Sequence, residues 1–592
     1  MADMSPLEAA RARGASAISG LARRLGLKWP LPPTSPVRDP IRCLPDQEWN
    51  NYPQTLSIKP LLTCTPESID DIIAAIRNAE ANHQQVHAFG SKWSFSDCAV
   101  GLDPANACLI DMTRLTNPVQ TVQKALTGGD PSLVYHVEAG ITIHDLYTSL
   151  DGFVDKTSNQ NRPLALLTMG GSSGQTLAGA ISTGTHGGDY RLPPLADSVL
   201  ALHLIGPGGN QYWIEPTPGI TNPPLLQQYV LPGIDRGNII YDTATFDACL
   251  VSLGLIGIIY AVVLKVRDQY NLIETTMATT WQDFLGTASA RLNDPNGRFL
   301  QVALDPYTDS SNNNQCLVTT RTEGGGSVCS CTQGNVNGAI ITLIEDLFSA
   351  NPIEAIGVAV QTLADLIHSG VDPLSNIVNR ALVALVNSIL LNAPDLRSVL
   401  TKDYGKIMSA IWPPVTCGGK SFCVMDTSLR KPGTNAQPPG APASPAYSIE
   451  MFFPATDGTP GHLPWADFVN GVIATVNAAT DTFLTGYIGI RFMGSTRALL
   501  GMQQWAQTCS VEISTLGGVT GELALLTRIL DMMYKSRGLP HWGQMIDLNV
   551  QGHGNLYPGY QKWRRVYQRM SNNFTTRTFE NALAVRWQLT TP

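Results

Sequence analysis

Residues 169–188 read MGGSSGQTLAGAISTGTHGG, and this stretch decides how the chain is organised. Its twenty residues include seven glycines and six serines or threonines, with one short apolar run at residues 178–181. That composition argues against an ordinary helix or strand, because glycine lets a backbone bend sharply and approach a ligand closely. Exposed N–H groups and hydroxyls can hold anionic oxygens. The stretch predicts a binding loop for a phosphate-bearing cofactor. The alternative, a glycine-rich surface turn, seldom reaches twenty residues.

A second segment of the same character lies upstream, where residues 87–96 read HAFGSKWSFS. Isoleucines at helical spacing predict a helix over residues 69–82 before it. Short apolar runs at residues 109–112 and 134–139 predict strands after it. No G-x-G-x-x-G motif follows a predicted strand here, which argues against a Rossmann domain. We therefore predict an α+β cofactor domain over residues 51–270.

Four segments follow one another along residues 86–187: VHAFGSKWSFS, LIDMTRL, HVEAGITIHDL and AGAISTGTHG. Their order resembles the FAD-binding domain of the vanillyl-alcohol oxidase / p-cresol methylhydroxylase superfamily, nearest its aldonolactone and alditol oxidase branch. Residues 246–266 resemble the end of that domain, and RGLPHWGQ at residues 537–544 resembles its C-terminal signature. The resemblance implies an α+β, two-domain FAD-binding PCMH-type fold, with a substrate (cap) domain of antiparallel sheet plus helices.

The resemblance also implies that the two glycine-containing segments wrap the pyrophosphate and ribityl chain of FAD. The residues that it assigns to cofactor binding are Phe89, Gly90, Ser91, Lys92, Trp93, Ser94, Phe95, Gly170, Gly171, Ser173, Gly174, Thr176, Gly179, Ala180, Thr183, Gly184, Thr185, His186, Gly257 and His541. Many relatives attach the flavin through a histidine directly before the Ser-Phe of the first segment, where this chain has Trp93. We therefore predict non-covalent FAD. His186 is then a hydrogen-bonding or packing residue or, alternatively, a substitute attachment site.

Four residues are candidates for catalysis by the same resemblance. The segment YIGIRF resembles a family strand with the pattern E-x-R, so Arg491 is present while Gly489 replaces the glutamate. Glu450 resembles an acidic residue of the family's substrate sheet, and Gln544 stands where relatives have the lysine of H-W-x-K. Because glutamine cannot act as a base, His541 and Glu450 are the candidates to remove a substrate proton. Arg491 would stabilise developing negative charge.

These features predict an FAD-dependent oxidoreductase that transfers a hydride from an alcohol-type substrate to flavin N5, with oxygen or another acceptor reoxidising the flavin. The loss of two polar groups, together with the apolar faces of a predicted helical insert at residues 335–400, favours a bulky or apolar substrate. The simplest interpretation of the insert is a set of helices packed on a sheet. The alternatives are a hydrophobic roof over the site and a lipid-contacting surface. Three alternatives stay open: oxidation of an amine or C–C bond, a sugar or lactone oxidase, and a flavin-binding protein that has lost catalysis.

Length and charge limit the possible partners and the number of domains. The 592 residues carry a net charge of −8 and no basic run, which excludes nucleic acid as the main partner. A small-molecule substrate is the expected partner. We divide the chain into an N-terminal helix and Pro-rich linker (1–50), the cofactor domain, a substrate domain with the helical insert (271–530), and a C-terminal segment that returns to the cofactor domain (531–592).

Eleven cysteines are scattered through the chain. The two close pairs, Cys329/Cys331 and Cys417/Cys423, lack histidines at zinc-site spacing, so we predict no metal site. An odd count without a dense framework is typical of a reducing compartment, with at most a single disulfide. The N-terminal stretch has no apolar core of signal-peptide length, and no later run is apolar enough for a transmembrane helix. We therefore predict a cytoplasmic protein.

Overall fold

The computed structural model describes residues 41–119, 121–155, 159–309, 311–332, 334–350, 354–369, 376–427, 445–459, 461–546 and 554–590. The predicted N-terminal helix and nearly all of the Pro-rich linker precede residue 41 and so lie outside the described residues.

The cofactor half contains two sheets and most of the elements that the sequence predicts. The helix predicted over residues 69–82 is observed at Ile69–Ala81, where the Ser68 side chain caps it by accepting from the Asp71 N–H. The four-stranded sheet has the spatial order Arg42–Pro45, Leu62–Thr65, Ala107–Asp111, Gln85–Phe89. The five-stranded sheet has the order Ile239–Tyr241, Gln211–Glu215, Val199–Ile205, Ile258–Lys265, Val134–Glu138. The first glycine-containing segment leaves the strand Gln85–Phe89 at its carboxyl end.

The long glycine-rich stretch departs from its prediction as a loop without regular structure. Its short apolar run forms the helix Leu177–Thr183. The helix begins after Thr176, in extended conformation, and ends at Gly184, whose φ of 79° only glycine adopts without strain. A helix of this length can form because Leu177 and Ile181 are buried in the core of the cofactor half. Tertiary packing therefore overrides the glycine content.

The substrate half is built on one eight-stranded antiparallel sheet. Its spatial order is Thr416–Lys420, Asn271–Thr280, Asn314–Glu323, Phe299–Thr308, Tyr487–Gly494, Gln507–Leu516, Ala446–Pro454, Leu539–Pro540. Short two-stranded pairs also form between Leu164–Ala165 and Arg267–Asp268, Trp49–Asn50 and Ser57–Ile58, and Val154–Asp155 and Gln160–Asn161. Successive side chains along each strand point to opposite faces of the large sheet.

Helices cover one face of this sheet. The α-helices beyond the two already given are Ile143–Asp151, Pro223–Tyr229, Thr243–Leu250, Trp281–Asn293, Val336–Ala350, Glu354–His368, Asn376–Asn392, Arg397–Ile411, Ser421–Met425, Pro464–Ala478, Glu522–Lys535, Tyr560–Met570 and Ala582–Arg586. The insert helices bury Leu343, Leu363 and Leu385 in one core with Ile488 and Ile490 of the sheet. Within the described part of the chain, no helix has the length and apolarity needed to cross a bilayer.

The C-terminal segment contacts both halves. The strand Leu539–Pro540 pairs with the edge of the large sheet at Met451 and Phe452. Further along, the Trp563 indole N–H donates to the Ala248 carbonyl at 3.0 Å, which ties the segment to the cofactor half. The segment therefore contacts the large sheet at one point and the cofactor half at another.

The cysteines differ from the expectation of at most one disulfide. Three disulfides are present, Cys43–Cys64, Cys329–Cys423 and Cys331–Cys417. The partners of the last two are 94 and 86 residues apart in sequence, so their pairing follows from the folded chain and not from local spacing. Disulfides of this kind are typical of oxidising compartments. The interpretation of the cysteines as a reduced set is therefore wrong.

Candidate active site

A cavity of about 410 Å³ lies between the two glycine-containing segments and one face of the large sheet. The predicted cofactor residues that line it are Phe89, Gly90, Ser91, Lys92, Trp93, Ser94, Phe95, Gly170, Gly171, Thr176, Gly179, Thr183, Thr185, His186, Gly257 and His541. All four predicted catalytic residues, Arg491, His541, Gln544 and Glu450, line it too. The C-terminal signature contacts the first glycine-containing segment, since the Phe95 N–H donates to the Gly543 carbonyl at 2.8 Å.

Four predicted cofactor residues do not line this cavity. Ala180 lies on the buried face of the short helix, and Gly184 ends that helix against Met502. A side chain at Gly174 would overlap the ring of Trp93, and Ser173 is fully buried. These residues shape the segment by packing, and their contact with the cofactor stays a prediction.

Bare backbone faces the cavity at three glycines. A Cβ added to Gly179 would approach only Thr176 Oγ1, at 3.2 Å, and one added to Gly171 only Thr427 Oγ1, at 3.7 Å. At Gly254, where φ is 73°, an added Cβ would meet no atom within 4 Å beyond its chain neighbours. Backbone without side chains lets an extended phosphate-bearing group approach closely. The cavity wall therefore fits a cofactor of this kind.

Trp93 fills the position at which relatives attach their flavin. Its ring stacks on Tyr52 with centroids 4.3 Å apart and planes 9° apart. Its other flank lies against the backbone of Gly174. An indole offers only an N–H donor and no nucleophilic nitrogen. The stack supports the prediction of a non-covalent cofactor.

Three neighbouring strands place charged residues in one row on the face of the sheet that lines the cavity. Glu450 pairs directly with Glu512 across two strands, and Glu512 pairs with Gly489 on the next strand. Arg491 lies on the same face as Gly489, two residues further on. Like charges directly opposite each other destabilise a sheet, so the row requires a cation.

Arg491 supplies that cation. Its Nη2 lies 2.9 Å from Glu512 Oε2, and its Nη1 lies 3.9 Å from Glu450 Oε1. Burial alone would lower the pKa of Arg491, but the neighbouring carboxylates, Glu512 before Glu450, raise it above its ordinary value. The guanidinium is held in place from the other side because its Nε donates to Gln301 Oε1 at 3.3 Å. Arg491 is therefore a buried charge of the site and not a surface salt-bridge partner.

His186 lies beside Glu450. Its Nδ1 lies 3.0 Å from the Gly187 carbonyl oxygen, and its Nε2 lies 3.2 Å from Glu450 Oε1. Each of these contacts is a hydrogen bond when the ring nitrogen that makes it carries a proton. Burial alone would raise the pKa of Glu450, but His186, and more weakly His541 and Arg491, lower it below its usual range. The two side chains therefore form one coupled pair in the wall of the cavity.

His541 accepts a hydrogen bond from the backbone. Its Nδ1 accepts from the Gly543 N–H at 2.9 Å, which assigns the ring proton to Nε2. Burial lowers the pKa of His541 to about 4, although Glu450 acts in the other direction. With its lone pair used by the backbone, His541 can donate to the cavity but cannot readily accept a proton there. The geometry therefore argues against His541 as the base and favours Glu450.

The same cluster has the spacing of a metal site, which the sequence did not predict. Potential ligand atoms of His186, Glu450 and His541 lie within 4.8 Å of one another. His541 Nδ1 accepts from the Gly543 N–H, so this lone pair is already used by the backbone. The absence of a metal site stays a prediction.

The comparisons with known proteins match these features. Residues 60–215 match the family model described as an FAD binding domain. The crystal structure of a cholesterol oxidase from Brevibacterium sterolicum superposes with a TM-score of 0.60, over 95% of this chain and 99% of that chain at 13% identity. Residues 60–215 therefore form an FAD binding domain of the family whose model they match. Its cofactor is FAD.

Two lactone oxidases are among the proteins to which this chain is similar. L-gulonolactone oxidase from Bos taurus is 26% identical over 247 residues, which cover 41% of this chain and 46% of the relative. D-arabinono-1,4-lactone oxidase from Yarrowia lipolytica is 27% identical over 257 residues, which cover 42% of this chain and 40% of the relative. The matches thus span less than half the length of these relatives.

The described residues of the helical insert do not form a roof over the site. Of the residues between 335 and 400 that the structure describes, none lines the cavity. Their apolar side chains pack with Ile488 and Ile490, which alternate along the strand with Gly489 and Arg491 and so face away from the site. The simpler alternative, helices packed on a sheet, is what the structure contains.

The cavity-lining residues that sequence reasoning did not assign to the site include Glu512, Tyr487, Thr427 and Gly254. The alternation of CSVEIS indicates that Glu512 shares a face with its serines, but the sequence does not give its register against Gly489. Tyr487 lies within the quoted YIGIRF strand, and burial, followed by the charge of Glu512, raises its pKa to about 12. No sequence pattern identified Thr427 or Gly254.

Proposed function

We propose that this protein oxidises a CH–OH group of a small hydroxylated molecule. The observation that carries the proposal is the His186–Glu450 pair, with its nitrogen and oxygen 3.2 Å apart, in the wall of the cavity that the cofactor segments share. Oxidation of an alcohol requires an acceptor for the hydroxyl proton as the hydride leaves. Bound FAD supplies the hydride acceptor at its N5 atom.

Glu450 and His186 act together as the proton acceptor in this proposal. When the pair carries no shared proton, the lone pair of His186 Nε2 faces the Glu450 carboxylate. Because this contact is electrostatically unfavourable, the unprotonated pair has a high affinity for a proton. Burial raises the pKa of Glu450 and His186 is the main cause that lowers it, so the two groups act as one proton acceptor and not separately. Arg491 Nη1, 3.9 Å from Glu450, is placed to stabilise negative charge on the substrate oxygen.

The cavity wall supports a hydroxylated substrate over a bulky apolar one. The expectation of an apolar substrate rested on the helical insert and on two missing charged groups, the glutamate replaced by Gly489 and the lysine replaced by Gln544. The insert packs on the other face of the sheet, and Glu512 lines the cavity beside Gly489. An alkyl chain buried against this charged row would leave polar groups unmatched, at about 1–3 kcal/mol each. The names of the two relatives give sugar-derived lactones as substrates, which also supports this class.

Anaerobic mixing with a panel of compounds tests the proposal. Purified protein is combined with xylitol, an aldonolactone, a long-chain alcohol and a primary amine, and the loss of visible flavin absorbance is followed. We expect bleaching by the polyol or the lactone, and recovery of the absorbance when oxygen is admitted if oxygen is the acceptor. Bleaching by the long-chain alcohol alone, or by the amine alone, would contradict the proposal. Full flavin content without bleaching by any compound would favour a flavin-binding protein that has lost catalysis.

A further inference from the structure

Glu512 occupies the centre of the charged row. It stands directly across from Glu450 on one side and from Gly489 on the other. Its side chain is 13% exposed and lines the cavity. The carboxylate therefore reaches the site from a strand other than the one that carries Arg491.

Gly489 makes room for this carboxylate. A Cβ added to Gly489 would lie 3.7 Å from both Cβ and Oε2 of Glu512, and 3.1 Å from a ring carbon of Tyr487. A longer side chain at position 489 would compete with Glu512 for the same space. The absence of a side chain at Gly489 and the presence of Glu512 are thus two parts of one arrangement.

The two oxygens of Glu512 have different surroundings. Oε1 accepts hydrogen bonds from the hydroxyls of Ser448 and Ser514, both at 3.0 Å, and from Gln544 Nε2 at 3.2 Å. Oε2 lies 2.9 Å from Arg491 Nη2, and no second donor among the described residues bonds to it. With one partner against the three of Oε1, Oε2 retains capacity for a further donor from the cavity.

We propose that Glu512 determines substrate specificity by accepting, at Oε2, a hydrogen bond from a second hydroxyl of the substrate. This rests on the proposed function, in which the reacting hydroxyl lies at the His186–Glu450 pair. Directly paired residues of antiparallel strands lie about 5 Å apart, so the second hydroxyl is carried by a carbon close to the reacting one. A substrate with a single hydroxyl leaves Oε2 unmatched and reacts less efficiently.

Glu512→Gln tests this role by comparing two substrates. We expect kcat/KM for a polyol to fall at least about tenfold more than kcat/KM for a monohydroxy alcohol of the same chain length. Glu522→Gln is the matched control, because it makes the same change at a buried carboxyl that does not line the cavity. The control should leave the ratio of the two kcat/KM values unchanged. An equal loss on both substrates in Glu512→Gln would show a structural role only and would overturn the proposal.

A double variant then moves the carboxylate to the neighbouring strand. In Glu512→Ala the preference for the polyol should be lost, and adding Gly489→Glu should restore part of it, because the new side chain can occupy the vacated space. Flavin content and thermal melting establish that both variants are folded. A folded, flavin-loaded double variant that recovers no preference would count against the proposal.

Binding separates this inference from the proposed function. If no alcohol reduces the flavin of the wild-type protein, the proposed function fails. The binding of xylitol is then measured from changes in the visible spectrum of the oxidised flavin. A spectral change that Glu512→Gln abolishes would still support the role of Glu512. No change in the wild-type protein would overturn it.

Discussion

Gly179→Ala separates the stability of the protein from its affinity for FAD. Alanine inside a helix is favoured over glycine by about 0.5–1 kcal/mol. The added Cβ also meets Thr176 Oγ1 at 3.2 Å, a tight contact that offsets part of this gain. The free energy of unfolding of the apoprotein should therefore change by less than about 1 kcal/mol. The methyl group otherwise points into the cavity, where overfilling a packed space costs about 1–3 kcal/mol. The dissociation constant for FAD should then rise by about 5- to 150-fold.

Gly286→Ala is the control for this variant. Gly286 lies inside the helix Trp281–Asn293, an added Cβ there meets no atom within 4 Å, and the residue does not line the cavity. Its apoprotein should gain about 0.5–1 kcal/mol, with unchanged flavin affinity. Both apoproteins are titrated with FAD while the quenching of flavin fluorescence is followed. Gly184→Val is less informative, because φ of 79° and Met502 at 2.7 Å would strain the protein itself.

Equal affinity of Gly179→Ala and Gly286→Ala for FAD would refute this reasoning. It would show that the bare backbone of the short helix does not face the cofactor, and that the FAD-binding surface lies elsewhere. A loss of both folding and flavin in Gly179→Ala would contradict the small effect expected on the apoprotein.

Three further results are expected. Acid precipitation should release FAD into the supernatant, because Trp93 leaves no nucleophile at the usual attachment position; flavin in the pellet would direct attention to His186. Non-reducing peptide mapping should recover the pairs Cys43–Cys64, Cys329–Cys423 and Cys331–Cys417, whereas a fully reduced set would contradict the structure. Thermal stability should fall as the pH drops from 6.5 to 5, by at most about 1.4 kcal/mol per pH unit for each buried histidine. The sign follows because burial lowers the folded-state pKa of four histidines to between about 3 and about 4, so the unfolded chain binds protons at a higher pH than the folded chain does. These histidines are His87, His136, His203 and His541. His136→Leu should make the dependence shallower, and an unchanged slope would show that His136 does not contribute.

The elements that local pattern determines were predictable from the sequence. Helical spacing of isoleucines gave the helix Ile69–Ala81 almost to its last residue, and the strand Val134–Glu138 matches its apolar run. The glycines of residues 169–188 located the cofactor segment because bare backbone is what such a ligand needs. The helix within that segment was missed, since burial of Leu177 and Ile181 outweighs the local glycine content.

The arrangement of the site depended on information that sequence does not carry. The role of Glu512 follows from strand register, because only pairing with Gly489 shows that the two positions share one space. The contacts of His186 follow from the fold, because its two ring nitrogens face oxygens supplied by different elements. The sequence also could not show on which face of the large sheet the helical insert packs, because apolar stripes on helices indicate burial but not the surface that covers them.

The pH dependence of flavin reduction tests the central claim that the His186–Glu450 pair accepts the substrate proton. The rate constant for bleaching by the best substrate is measured in single turnover between pH 5 and pH 9, in the wild-type protein and in His186→Asn, whose amide can still donate to Glu450 but does not titrate. We predict that the wild-type rate rises with pH through one apparent pKa and then levels off, because the pair must be unprotonated to act as a base. In His186→Asn the maximal rate should fall and this apparent pKa should shift, because the buried Glu450 then titrates without the histidine that lowers its pKa. A pH profile identical in the two proteins would contradict the account.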